Sequence, residues 1–121
     1  MEGVVKRKEE LKASDVPKCV NTKITWLIDR NDGAERYEMR KFWMGPGGSM
    51  PKHLHPDIEH EEYILKGRLK VILGDEVYEV KEGDAVLVPA GVPHAYSNPY
   101  DEAAEFICVI PKVESYETVY L

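Results

Sequence analysis

The chain has 121 residues, 43% of them hydrophobic, which is long enough for one compact domain with a core of its own and too short for two. Charged residues reach 31%, and 22 acidic against 16 basic side chains give a net charge of −6 with no dense Lys/Arg block, so neither a nucleic acid nor an anionic membrane surface is expected as a partner. No stretch has the apolar length of a membrane helix and "MEGVVKRKEELKASD" has no signal-peptide core, so a soluble cytoplasmic protein is expected.

Along the chain, almost no segment keeps a helical apolar period over a helix length, and strand patterns punctuated by turn residues predict an all-β fold. Residues 1–21 form an arm, in which Leu11 to Cys19 reads as a short turn of helix or as part of the arm. "TKITWLID" alternates as a strand, and the Asp-Gly of "RNDGAER" turns it into "YEMRKFWM". On this second strand Arg40, Phe42 and Met44 share one face and Met39, Lys41 and Trp43 the other. Lys41 points to the second face as the outer one, which would leave Trp43 exposed. "GPGGSMP" is expected to be a loop that no strand continues through. "LKVIL", "VYEV" and "AVLV" are short strands, with Pro89 ending the last, and "AAEFICVI" is the final apolar strand before Pro111. The even spacing of short strands suggests a sandwich or barrel. Cys19 and Cys108 fit no paired-Cys metal spacing and no disulfide framework.

Three of the four histidines fall within "HLHPDIEH". His53 and His55, two apart on a strand, point to the same side, and "PDIE" turns the chain so that His60 opens a returning strand opposite them. Imidazole is the commonest side-chain ligand of borderline divalent metals, and a cation offsets the cost of clustering polar rings in an apolar interior. Glu59 is an alternative ligand to His60.

Two longer patterns include these histidines. From Gly47, five residues lead to His53, one to His55, four to His60 and six to Gly67. From Gly83, five lead to Pro89, then come Gly91, His94 and Asn98. This resembles the paired motifs of the cupin superfamily, with 15 residues between Gly67 and Gly83 as in small single-domain members. Where the most familiar cupins place a glutamate this chain has His60, and it is similar to the four-histidine, manganese-type subgroup. The resemblance implies a single-domain double-stranded β-helix, or jelly-roll barrel, over about residues 22–111, with residues 112–121 as a tail. It implies one divalent transition metal on His53, His55, His60 and His94. Manganese or iron is the first choice; zinc, nickel, copper and cobalt are alternatives.

The period of two turns Glu62 toward the same cavity as His60, as a candidate general base or a partner of Tyr96 or Arg40, and turns Glu61 outward. Tyr96, two after His94, also faces in. The resemblance places Phe106, Cys108 and Ile110 inside the barrel, and Arg40, Phe42, Tyr96, Phe106 and Cys108 complete the expected substrate pocket. A metal-dependent oxygenase or related oxidative enzyme acting on a small molecule is expected, with an oxygen-independent isomerase or lyase, or a non-catalytic small-molecule or metal-binding module, as alternatives. An exposed Trp43 would be explained by a partner subunit, so a homodimer is expected.

Overall fold

The computed structural model describes residues 2–121. Ten strands run in chain order: β1 (Ala13–Asp15), β2 (Val20–Ile28), β3 (Tyr37–Leu54), β4 (His60–Lys66), β5 (Arg68–Leu73), β6 (Glu76–Lys81), β7 (Ala85–Val88), β8 (His94–Ser97), β9 (Ala104–Pro111) and β10 (Val119–Tyr120). They form one curled antiparallel sheet in the order β6-β5-β8-β3-β9-β4-β7, with β2 and β10 also paired to β3 and β1 to β2. Two short 3-10 turns, Lys8–Glu10 and Arg30–Asp32, are the remaining regular elements among the described residues, and no helix is long and apolar enough to cross a membrane. The fold is a single-domain jelly roll.

Strand β3 makes the barrel. Its first half pairs with β9, from Tyr37 opposite Pro111 to Met44 opposite Ala104. Its second half pairs with β8, Met50 opposite Tyr96 and His53 opposite His94. The expected loop "GPGGSMP" is therefore a corner within one strand, not a break. The glycines permit it: Gly47 has φ +76°, and a Cβ at Gly48 would lie 2.5 Å from the Met44 side chain and 2.8 Å from the Gly45 carbonyl. Asn98 clamps the corner. Its amide donates to the carbonyls of Met44 (3.0 Å) and Glu102 (2.8 Å), and its backbone exchanges hydrogen bonds with Gly47 and Gly48 at 2.8 and 2.9 Å. Gly67 is required twice over, by φ +71° and because a Cβ would come within 2.5 Å of the Ala103 carbonyl.

Register then sorts the interior into rungs. Across β3, β9 and β4 the inward residues Phe42, Phe106 and Ile64 lie side by side, as do Arg40, Cys108 and Glu62 one step further along. The first rung is closed by Tyr96 from β8, so that Phe42, Phe106 and Tyr96 stack with ring centroids 5.2 and 5.3 Å apart. Phe106 is 1% exposed, and truncating such a residue costs about 3–5 kcal/mol. This apolar floor supports the polar rung above it.

Three further expectations are corrected. The histidines do not converge from one hairpin, because β4 pairs with β7 and β9 and β3 with β8: His60 reaches His53 and His55 from the facing wall of the barrel. Leu11 to Cys19 is not helical; the 3-10 turn precedes it, and β1 extends the sheet by pairing with β2. Trp43 is half-buried, its ring lying against Gly45, where a Cβ would stand 2.7 Å from it, so an exposed Trp43 no longer argues for a partner subunit.

Candidate metal centre

Strand ends deliver the four imidazoles to one end of the barrel. His94 is the first residue of β8 and His60 the first of β4; His53 is the penultimate residue of β3, and His55 follows that strand. All four are buried, at 6% exposure or less. Ring centroids are 4.2 Å apart for His53 and His94, 5.0 Å for His53 and His55, and 4.8 Å for His55 and His60, with His94 5.4 Å from His60. The ligand atoms of His53, His55 and His94 lie within 4.8 Å of one another; those of His60, Glu62 and Cys108 form a second such group. His60 thus stands between the other imidazoles and the acidic rung.

Backbone carbonyls orient the rings. Nδ1 of His53 lies 2.7 Å from the Pro51 carbonyl, Nδ1 of His55 2.9 Å from that of Glu117, and Nδ1 of His94 2.9 Å from that of Val92. A carbonyl only accepts, so each Nδ1 carries the proton and each Nε2 presents a lone pair. This is how a metal-ligating histidine is normally held, its other nitrogen donating to a fixed acceptor. Burial lowers the pKa of all four, with help from the Arg40 charge: His94 to about 4 and His60 to about 2. They are neutral, as ligands must be. Nε2 of His94 is buried without a hydrogen-bond partner, an uncompensated cost that a cation would remove. The donor set therefore fits a divalent metal. Glu59 is exposed and outside the cluster.

Glu62 faces the same cavity at 5% exposure. One oxygen accepts a hydrogen bond from the Tyr96 hydroxyl at 2.6 Å, while the other is buried with no partner. Burial pushes its carboxyl up to about 7, against the opposing effects of Tyr96 and the Arg40 charge. Burial likewise drives the Cys108 thiol up to about 12, so it is a protonated thiol and not a nucleophile.

Arg40 lies 7% exposed among the rings of Phe42, Trp26 and Tyr116, its guanidinium carbon 5.1–5.5 Å from their centroids. One terminal nitrogen donates to the Tyr116 hydroxyl at 2.7 Å and lies 3.8 Å from Cys108 Sγ, and its Nε is unpartnered.

The cavity enclosed by these groups has a volume of about 130 Å³ and is lined by Arg40, Phe42, Glu62, Tyr96 and Phe106 together with the four histidines. Cys108 does not line it. That residue sits behind His60, its sulfur 3.5 Å from Nδ1, because β9 is the middle strand of the rung and its short side chain ends below the ring. The tail supplies what sequence reasoning missed. Thr118 and Tyr120 join the lining, and Tyr116 places its hydroxyl 3.3 Å from Nε2 of His55 and 3.2 Å from Nε2 of His60. No periodicity marks a short irregular tail; the only available signal was the recurrence of tyrosine in "ESYETVY".

A bent-strand barrel with four neutral imidazoles and a buried carboxyl around one cavity defines a small β-barrel protein with a candidate metal site. The cupin domain profile matches residues 41–110, more than half of the chain, and the protein belongs to the cupin domain family. It is 37% identical over 75 residues to a 1-methylthio-D-xylulose 5-phosphate methylsulfurylase of Rhodospirillum rubrum, which is 60% of this chain and 46% of that protein. It is 31% identical over 64 residues to polyketide synthase CurC of Streptomyces cyaneus, 53% of this chain and 42% of that protein. The matches span less than half the length of these two relatives. Among solved structures, the polyketide cyclase RemF from Streptomyces resistomycificus superposes with a TM-score of 0.86 at 33% identity, over 100% of this chain and 87% of RemF. A cupin-2 domain protein from Rhodospirillum rubrum gives 0.80 at 26% identity, over 100% and 81%. A predicted oxalate decarboxylase from Thermotoga maritima gives 0.80 at 20% identity, a likeness of fold alone.

Proposed function

We propose that the protein is a metal-dependent enzyme that moves a proton on a small oxygen-bearing substrate. In this reading His53, His55, His60 and His94 hold one divalent transition metal, manganese or iron first, and Glu62 is the acid–base group. The observation that carries it is Glu62 itself: a carboxyl buried beside the imidazole cluster, with one oxygen fixed by Tyr96 and the other unpartnered, which burial raises to about 7 in the metal-free protein. A proton-transfer group works best when its pKa lies near the working pH. A metal in this site supplies Lewis acidity to a substrate oxygen. Glu62 takes or returns the proton, and Tyr96 holds the carboxyl in place. Arg40, permanently charged and with an unpartnered Nε, favours a substrate carrying negative charge. Phe42 and Phe106 keep water from the floor of the cavity. The cavity is smaller than the roughly 300–1,000 Å³ of drug-sized ligand pockets, which favours a small molecule or the reacting end of a larger one. The 33% identity to the polyketide cyclase RemF supports an enzyme acting on a small molecule.

The test is hydrogen–deuterium exchange beside the carbonyl of small keto acids, followed by NMR under anaerobic conditions with manganese-loaded protein. Metal-dependent exchange should appear and drop on the order of 10²-fold or more in Glu62→Gln at unchanged metal content. Equal rates in the variant and wild type would remove Glu62 from the role.

One observation favours an oxidative reading of the same site: all four proposed donors are neutral imidazoles, which leave the metal its full charge and favour its lower oxidation state. Dioxygen would then be the co-substrate. Metal-dependent oxygen uptake on adding substrate, with no anaerobic exchange, would select this reading over the first.

A further inference from the structure

We infer that Tyr116, carried in by the C-terminal tail, is a fifth protein ligand at the metal centre, so that this cupin domain closes its own site with a phenol oxygen. The inference rests on the metal reading above and adds a residue that neither cupin motif contains.

The geometry comes first. Adjacent ligand atoms on an octahedral metal with metal–nitrogen distances of about 2.1 Å stand about 3.0 Å apart. The Tyr116 oxygen lies 3.3 Å from Nε2 of His55 and 3.2 Å from Nε2 of His60, close to that spacing for both nitrogens at once. Nε2 of His55 is an acceptor, because its Nδ1 donates to Glu117. A phenol has a single proton, so it donates to at most one of the two nitrogens, and the other is satisfied without a cation only if it carries a proton of its own. A cation bound to both nitrogens and to the oxygen satisfies all three.

Charge points the same way. Arg40 is a buried cation 2.7 Å from the Tyr116 oxygen, and a divalent metal in the same cavity would add two more positive charges near it. Glu62, the carboxyl facing that cavity, is turned to Tyr96. An oxygen ligand lying between guanidinium and metal reduces the repulsion between them.

The tail is built to hold this position. The Arg30 guanidinium donates to the Val113 carbonyl at 2.8 Å on one side of Tyr116. On the other, β10 pairs with the end of β3, Tyr120 opposite His53, and the Leu121 amide donates to Lys52 at 3.1 Å. Tyr116 keeps 38% of its surface in solvent while its hydroxyl points inward, so the ring caps the mouth of the site.

Metal-free protein loaded with ferric iron tests this, because a phenol that coordinates ferric iron releases its proton to solvent and produces a visible charge-transfer band that imidazole does not. Wild type should bind one iron and show the band. Tyr116→Phe should bind one iron without the band, and should bind azide several-fold more tightly through the position it frees. One bound iron with no band in the wild type, or a band that survives Tyr116→Phe, would overturn the role of Tyr116 and leave the histidine site standing. Failure of the wild type to bind iron or any divalent metal would overturn both.

Discussion

The Tyr96 hydroxyl donates to Glu62 at 2.6 Å across the barrel, joining β8 to β4 directly above the stacked rings of Phe42, Phe106 and Tyr96. This bond lowers the Glu62 pKa against the larger upward effect of burial, and the balance stands at about 7. In metal-free protein the sign follows. Between the ordinary carboxylate value of 4.5 and 7 the folded state keeps a proton that the unfolded state has lost, so this group's contribution to stability falls as pH rises through that window. Glu62→Gln should be more stable than wild type above pH 7, by about 3 kcal/mol, and should lose that advantage toward pH 4.5. The histidines act oppositely: their depressed pKa values cost the wild type stability as pH falls below 6.5. Urea unfolding of both proteins across pH separates the two, and parallel curves would show that Glu62 is not perturbed.

The tail should matter to metal affinity through His55. Its Nδ1 donates to the Glu117 carbonyl at 2.9 Å and lies 3.3 Å from the Thr118 hydroxyl. Ending the chain after Tyr116 removes both partners while keeping the phenol, and loss of such an orienting group typically costs about 10–100-fold in metal affinity. Competition with a chelator measures it. An unchanged affinity would mean that β3 alone orients His55.

Asn98 should be structural. Replacing it with alanine leaves the carbonyls of Met44 and Glu102 without their amide donor at the corner of β3 and removes the acceptor of the Tyr100 amide. Buried polar groups left unpaired cost about 1–3 kcal/mol each, so Asn98→Ala should lose at least about 2 kcal/mol in urea unfolding. The folded variant should still bind one metal, because Asn98 does not line the cavity.

We propose that the protein forms a homodimer, on grounds other than Trp43. Tyr63, Leu65 and Leu87 on β4 and β7 are 36–54% exposed, and Val77 and Tyr78 on β6 are 49–62% exposed. Light scattering should give twice the 13.8 kDa chain mass, and Leu87→Lys should weaken the association. A monomer at working concentrations removes the proposal.

The sequence by itself determined the local pattern: the strand segments, the inward direction of His60, Glu62 and Tyr96, and the turns at Gly67, Gly83 and Gly91. These depend on a residue's immediate neighbours, since side chains on a strand alternate with a period of two and glycine relieves a positive φ. The tertiary structure decided everything that depends on register between distant strands. It turned "GPGGSMP" into a corner of β3, since close backbone approach there is paid for by contacts with Asn98 some fifty residues away. It set Arg40 and Glu62 on either side of Cys108 and hid that thiol behind His60. It brought Tyr116 from an unpatterned tail onto the imidazoles of His55 and His60, because β10 pairs with the end of β3, a segment distant in sequence.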